Sequence, residues 1–223
     1  MSGRCRSTAS LIRQADSGIA WYRIMIYVGI GILGFIVIHL FDLVSMKRIP
    51  FGVKPLVWTA GFAILFFSLI KMCLESNTLP LPDSMVWVGW SMLAVSVTMI
   101  TFALFINLPF RKTYVEAGVG DKLIKTGLYA LVRHPGVYWV ALFFFSLVFI
   151  SKSQLMLIAA PIFVVLNTTL VIVQDRYFFP KMFDGYDKYQ KETPMLVPNR
   201  RSLKAFISSL SSNRSKCSSK EVA

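Results

Sequence analysis

Five stretches of this chain carry no Asp, Glu, Lys or Arg: residues 24–38, 55–70, 85–110, 136–151 and 154–174. A helix advances ~1.5 Å per residue, so crossing a hydrocarbon layer about 30 Å thick takes roughly 20 predominantly apolar residues. The third and fifth stretches reach that length unaided. The first and second reach it once Tyr22, His39, Leu40 and Lys71 to Leu74 lie at the interface, where long side chains extend their polar ends to water. The fourth is short and fits either a tilted span or one arm of a hairpin that crosses in part. Composition agrees, with 55% hydrophobic and only 16% charged residues, against about 25% charged in ordinary soluble domains. The predicted fold is all-α: a polytopic membrane protein of about five transmembrane helices. Its fourth and fifth helices form a tight hairpin, because only Ser151, Lys152 and Ser153 join them.

The pattern divides the chain into four parts. Residues 1–20 are a polar lead. Residues 21–110 hold three transmembrane helices, at roughly 21–46, 53–74 and 84–110. Residues 111–198 contain a polar connection, the hairpin and an aromatic-rich segment, and 199–223 have the serine-rich, basic composition of a disordered tail. A formal charge of +13 raises the question of a nucleic-acid partner. In a chain this apolar, topology explains it better, because Lys and Arg collect in cytoplasmic segments. Alternate segments carry six and eighteen basic residues. That bias places the C-terminus in the cytoplasm and makes the bilayer, rather than nucleic acid, the expected partner. Three scattered cysteines form no disulfide framework, and no metal site is expected. Two polar features lie within the first three helices. His39 and Asp42, three residues apart, are either an interfacial pair or part of a site. Asn107 suits a helix–helix hydrogen bond or a ligand contact equally well.

The chemistry concentrates further along. In Arg133-His134-Pro135 the proline favours the first position of a helix, where its missing N–H costs nothing. Arg133 and His134 then stand at a helix N-terminus, beside unpaired N–H groups that attract anions. A three-residue hairpin loop brings the far end of the next helix, Gln174-Asp175-Arg176, to the same side. The expected pocket has cationic groups on one wall and an amide and a carboxylate on the other, with Tyr129, Tyr138, Tyr186 and Tyr189 nearby. The plainer alternative has Arg133 bound to lipid phosphate and the tyrosines in an interfacial belt.

Thr126-Gly127-Leu128-Tyr129, then Arg133-His134-Pro135 and Tyr138, resemble the signature of the isoprenylcysteine carboxyl methyltransferase and phospholipid methyltransferase superfamily. The second half of that pattern is matched by Gln174-Asp175, Phe183-Asp184-Gly185, Tyr186, Tyr189 and Thr193-Pro194. The chain departs from it in two places. Gly136 and Val137 separate Pro135 from Tyr138, and Gln174-Asp175 replaces the usual pair of glutamates. The resemblance implies S-adenosylmethionine as cofactor, held by Tyr129, Arg133, His134, Pro135, Tyr138, Gln174, Asp175 and Tyr186. It implies a lipidic or small hydrophobic methyl acceptor, of the isoprenylcysteine-carboxylate or phospholipid-amine type, entering from the bilayer. No residue is assigned as catalytic base. Two rivals remain: a sterol-type reductase using a nicotinamide cofactor, which shares a similar Arg-His-Pro block, and a non-catalytic protein retaining the fold.

Overall fold

A computed structural model describes residues 3–47, 52–74, 78–103 and 123–218, with side chains described between 25 and 209 of these. The chain folds into α1 (Gly3–Met46), α2 (Val53–Leu74), α3 (Ser84–Thr101), α4 (Leu128–Leu131), α5 (Gly136–Ser151), α6 (Gln154–Val173), α7 (Phe179–Met182), α8 (Tyr186–Glu192) and α9 (Arg200–Ser218). A π-helical turn, Gln174–Phe178, joins α6 to α7. Four helical stretches are long and apolar enough to cross a membrane: Met25–Met46, Val53–Leu74, Ser84–Thr101 and Gln154–Met182. Helix α5, with 16 residues, is about 24 Å long and forms the short arm of the hairpin with α6. The architecture is thus the expected all-helical, polytopic one.

Helices in lipid gain little from burying apolar surface against each other, so they associate where small residues let backbones approach. Helices α1 and α2 meet in this way. A Cβ added at Gly34 would lie 2.8 Å from the Leu65 backbone nitrogen, and one at Gly61 would lie 2.7 Å from that of Ile38. One turn away, the Ser68 hydroxyl donates to the Tyr27 carbonyl at 2.6 Å. Gly89 gives α3 the same close approach to Ile150 of α5. Inside, the rings of Phe35, Phe144 and Phe163 pack at centroid distances of 5.3 to 5.8 Å, linking α1, α5 and α6. Gly34→Leu is therefore expected to separate α1 from α2 and cost about 1–3 kcal/mol, read as a lower midpoint of unfolding in sodium dodecyl sulfate. Gly29→Leu, where an added Cβ meets nothing within 4 Å, is the matched control and should leave the midpoint unchanged.

Ser153 fixes the hairpin turn. It caps α6 by accepting from the Met156 N–H at 3.0 Å and donates to the Met72 carbonyl of α2 at 2.7 Å. The base of the hairpin is thereby tied to the α1–α2 pair.

The boundaries depart from expectation in three places. Helix α1 begins at Gly3, not near residue 21. No proline interrupts residues 3–23, and extending a nucleated helix costs little per residue. The third helix is described only to Thr101, with a π turn over 102–103, and Asn107 lies outside the described residues. The expected disorder from 199 onward is replaced by α9 as far as Ser218. The Asn199 side chain accepts from the Ser202 N–H at 2.8 Å, an N-cap that composition alone conceals. Ser202 is buried, and Ser209 on the same face accepts from the Gly127 N–H at 3.2 Å, holding α9 against the turn before α4. Leu203 and Ile207 are left exposed beside exposed Arg200, Arg201 and Lys204.

Candidate functional site

The site forms where the two ends of the hairpin meet. Gly127, at φ +61°, supplies the positive φ that opens α4, a backbone state readily open to glycine alone. After one turn the chain extends through Val132 to Arg133 and His134. Pro135, at φ −63°, caps α5, one residue ahead of its expected place as the first helical residue. On the other side, the π turn begins at Gln174 and presents Asp175 to these residues. An i→i+5 turn rotates the following side chains away from their α-helical positions. It ends two residues before Pro180, which cannot donate a backbone hydrogen bond.

Asp175, 3% exposed, is the hub. Arg133 grips it with two bonds, Nε to Oδ1 and Nη2 to Oδ2, both 2.8 Å. His134 Nε2 lies 2.8 Å from Oδ1, the Tyr186 hydroxyl donates to Oδ1 at 2.6 Å, and Gln190 Nε2 donates to Oδ2 at 3.2 Å. The remaining Arg133 nitrogen donates to the carbonyls of Gln190 at 2.9 Å and Thr193 at 2.5 Å. Phe179 stacks on the His134 ring, with centroids 5.7 Å apart. Burial alone would discourage the charge on Arg133. The Asp175 carboxylate more than offsets this, and the guanidinium pKa is raised. Burial pushes Tyr129 up to about 12. Tyr186 and Tyr189 are raised further, by burial first and, for Tyr186, by donating to Asp175. All three phenols are therefore neutral donors at physiological pH.

A strap of chain crosses the start of α5. The N–H groups of Arg133 and His134 donate to the carbonyls of Pro194 at 3.0 Å and Met195 at 3.2 Å. The Tyr138 hydroxyl donates to the Leu196 carbonyl at 2.6 Å. The strap thus satisfies the N–H groups of the two residues that precede α5.

The expected residues thus divide into groups. Arg133, His134, Asp175 and Tyr186 form one network, with Pro135 next to it at the start of α5. Tyr129 turns toward the end of α3, donating to the Ala103 carbonyl at 3.1 Å, while its own carbonyl accepts from Tyr189 at 2.6 Å. Tyr138 lies at the rim, 45% exposed. Gln174 points away from Asp175 toward α1: its amide nitrogen is 2.6 Å from Asp42 Oδ2 and 3.2 Å from His39 Nδ1. His39 and Asp42, which sequence left between an interfacial pair and a site, are therefore joined to the motif by Gln174. Gln190 was missed. Its only signal was its place four residues after Tyr186, on the same face of α8. Among the described residues no group of His, Cys, Asp and Glu is arranged to hold a metal ion.

A family model for a protein of unknown function, DUF1295, matches residues 55–193, more than half of the chain, and includes both blocks of the network. The chain belongs to the DUF1295 family. Neither a curated protein nor a solved structure matches it. The DUF1295 match begins after α1, so the His39 and Asp42 contacts to Gln174 come from outside the family region.

Proposed function

We propose that this DUF1295 protein is an S-adenosylmethionine-dependent methyltransferase acting on a lipidic or small hydrophobic acceptor within the membrane. The observation that carries the reading is Asp175. Through it, two blocks of a methyltransferase-like motif, 42 residues apart from Arg133 to Asp175, are joined in one buried network. The saturated Arg133–Asp175 pair fits a positioning role. It holds the start of α5, the π turn and the strap in fixed register.

The residues around the network suit the cofactor's chemistry. Trp139, in the first turn of α5, has a buried indole N–H with no partner among the described residues, a donor suited to a carboxylate or ribose oxygen. The half-exposed Tyr138 ring offers an aromatic face for a sulfonium. Phe179, Phe183 and Tyr186 form a cluster with centroids 5.6 to 6.4 Å apart, which keeps water from one side of the network. When bound, the cofactor supplies an activated methyl group on a sulfonium. Transfer of that group is in-line, so alignment and exclusion of water count for more than acid–base machinery. Purified protein in proteoliposomes of total membrane lipid, given S-adenosylmethionine labelled in its methyl group, is expected to release label into the lipid fraction. Label appearing no faster than in protein-free vesicles overturns the proposal.

In this reading the network faces the cytoplasm, the side favoured by the excess of Lys and Arg. Helix α9 then rests against the cytoplasmic leaflet, with Leu203 and Ile207 toward lipid and its basic residues toward anionic head groups. In a background with Cys5, Cys73 and Cys217 replaced by serine, a cysteine at Ser211 is expected to resist an impermeant thiol reagent in intact cells and react once the cells are opened. Labelling in intact cells would reverse the orientation.

A further inference from the structure

Two buried carboxylates, Asp42 and Asp175, lie at this end of the bundle, and their surroundings differ. Both oxygens of Asp175 are filled, and its charge is matched by Arg133. Asp42, 6% exposed, has no Lys or Arg paired with it among the described residues. Its described partners are the Gln174 amide at 2.6 Å and His39 Nδ1 at 3.6 Å, both at Oδ2. That leaves Oδ1 without a described partner. Gln174 Nε2 also lies 3.2 Å from His39 Nδ1. A buried carboxylate is stabilised further when a cation pairs with its free oxygen.

We infer that Asp42, set in place by Gln174, is the acceptor for a ligand's ammonium group, a role the saturated Asp175 cannot fill. Two ligands carry such a group: the amino-acid tail of the cofactor, and a primary-amine lipid head group delivered by the bilayer. The first source rests on the methyltransferase reading, and the second is independent of it. The inference also gives Gln174 a function. An acid at that position would repel Asp42, whereas the amide donates to it and leaves Oδ1 for the ligand.

The test uses full-length protein in phosphatidylglycerol nanodiscs, which contain no amine lipid, and compares the parent with Asp42→Asn. Asparagine keeps an oxygen that can accept from Gln174, so the fold is expected to survive. S-adenosylhomocysteine and methylthioadenosine, the same nucleoside without the amino-acid tail, are titrated by calorimetry. If the cofactor is the source, Asp42→Asn weakens the first about tenfold or more and leaves the second unchanged. If the lipid is the source, native mass spectrometry of the protein moved to nanodiscs of equal phosphatidylethanolamine and phosphatidylglycerol shows the first retained over the second by the parent, and that preference lost in Asp42→Asn. Gln174→Leu keeps the carboxylate but removes the amide that sets it, and should shift the same ligand by a smaller factor. The inference is overturned if Asp42→Asn binds both ammonium ligands as the parent does, or if the parent binds neither. A parent that retains phosphatidylethanolamine but ignores both nucleosides removes the methyltransferase reading and leaves the inference standing.

Discussion

Asp175→Ala is expected to destabilise the folded protein by about 3–5 kcal/mol, the largest effect of any single change in the network. The substitution removes a carboxylate that accepts from Arg133, His134, Tyr186 and Gln190. Arg133, with only 9% of its side chain exposed, would be left charged and buried without a counter-ion. Its two carbonyl contacts, to Gln190 and Thr193, satisfy hydrogen bonds but not charge. The measurement is the midpoint of unfolding in sodium dodecyl sulfate. A companion variant separates lost pairing from lost shape. Arg133→Met with Asp175→Leu replaces the pair by apolar groups of similar size, and such exchanges often cost little. The double variant should therefore be markedly more stable than Asp175→Ala alone. Equal losses in the two would mean that the pair is not the organising interaction.

The second large effect is expected at Gln174. Gln174→Glu replaces an amide donor 2.6 Å from Asp42 Oδ2 with a carboxylate. The hydrogen bond is lost and two like charges face each other in a buried setting, for a cost of about 1–3 kcal/mol. Adding Asp42→Asn reverses the pair, so that the new amide donates to the carboxylate introduced on the π turn, and should restore at least half of the loss. A Gln174→Glu protein as stable as the parent would show that the two side chains do not oppose each other. Recovery in the double variant would instead show that the α1 contact sets which residue type position 174 accepts.

Much of the fold was legible because lipid imposes a crude code. Runs without charge, each near the length of a span, identify membrane helices almost regardless of their order. The hairpin was legible for a similar reason, since three residues between two apolar helices permit little else. The network was legible in part. Arg133 and His134 beside a proline, and Asp175 at the end of the next helix, could be placed on one side. Their mutual saturation could not, because residue type does not distinguish a charge kept for a ligand from one kept for its neighbour. The direction of Gln174 depends on a π turn, whose one sequence correlate is Pro180 a few residues later. Helix α9 was misread because its serines suggested disorder. Their spacing, with Ser202 and Ser209 on one face and Asn199 as cap, was the signal that composition averages away.

Whether the network serves S-adenosylmethionine is tested most directly by calorimetric titration of the full-length, detergent-solubilised protein with S-adenosylhomocysteine and, separately, with a reduced nicotinamide dinucleotide. Saturable binding of S-adenosylhomocysteine, with no binding of the dinucleotide, is the predicted result. Binding of the dinucleotide with no response to S-adenosylhomocysteine would contradict the account and favour a membrane reductase.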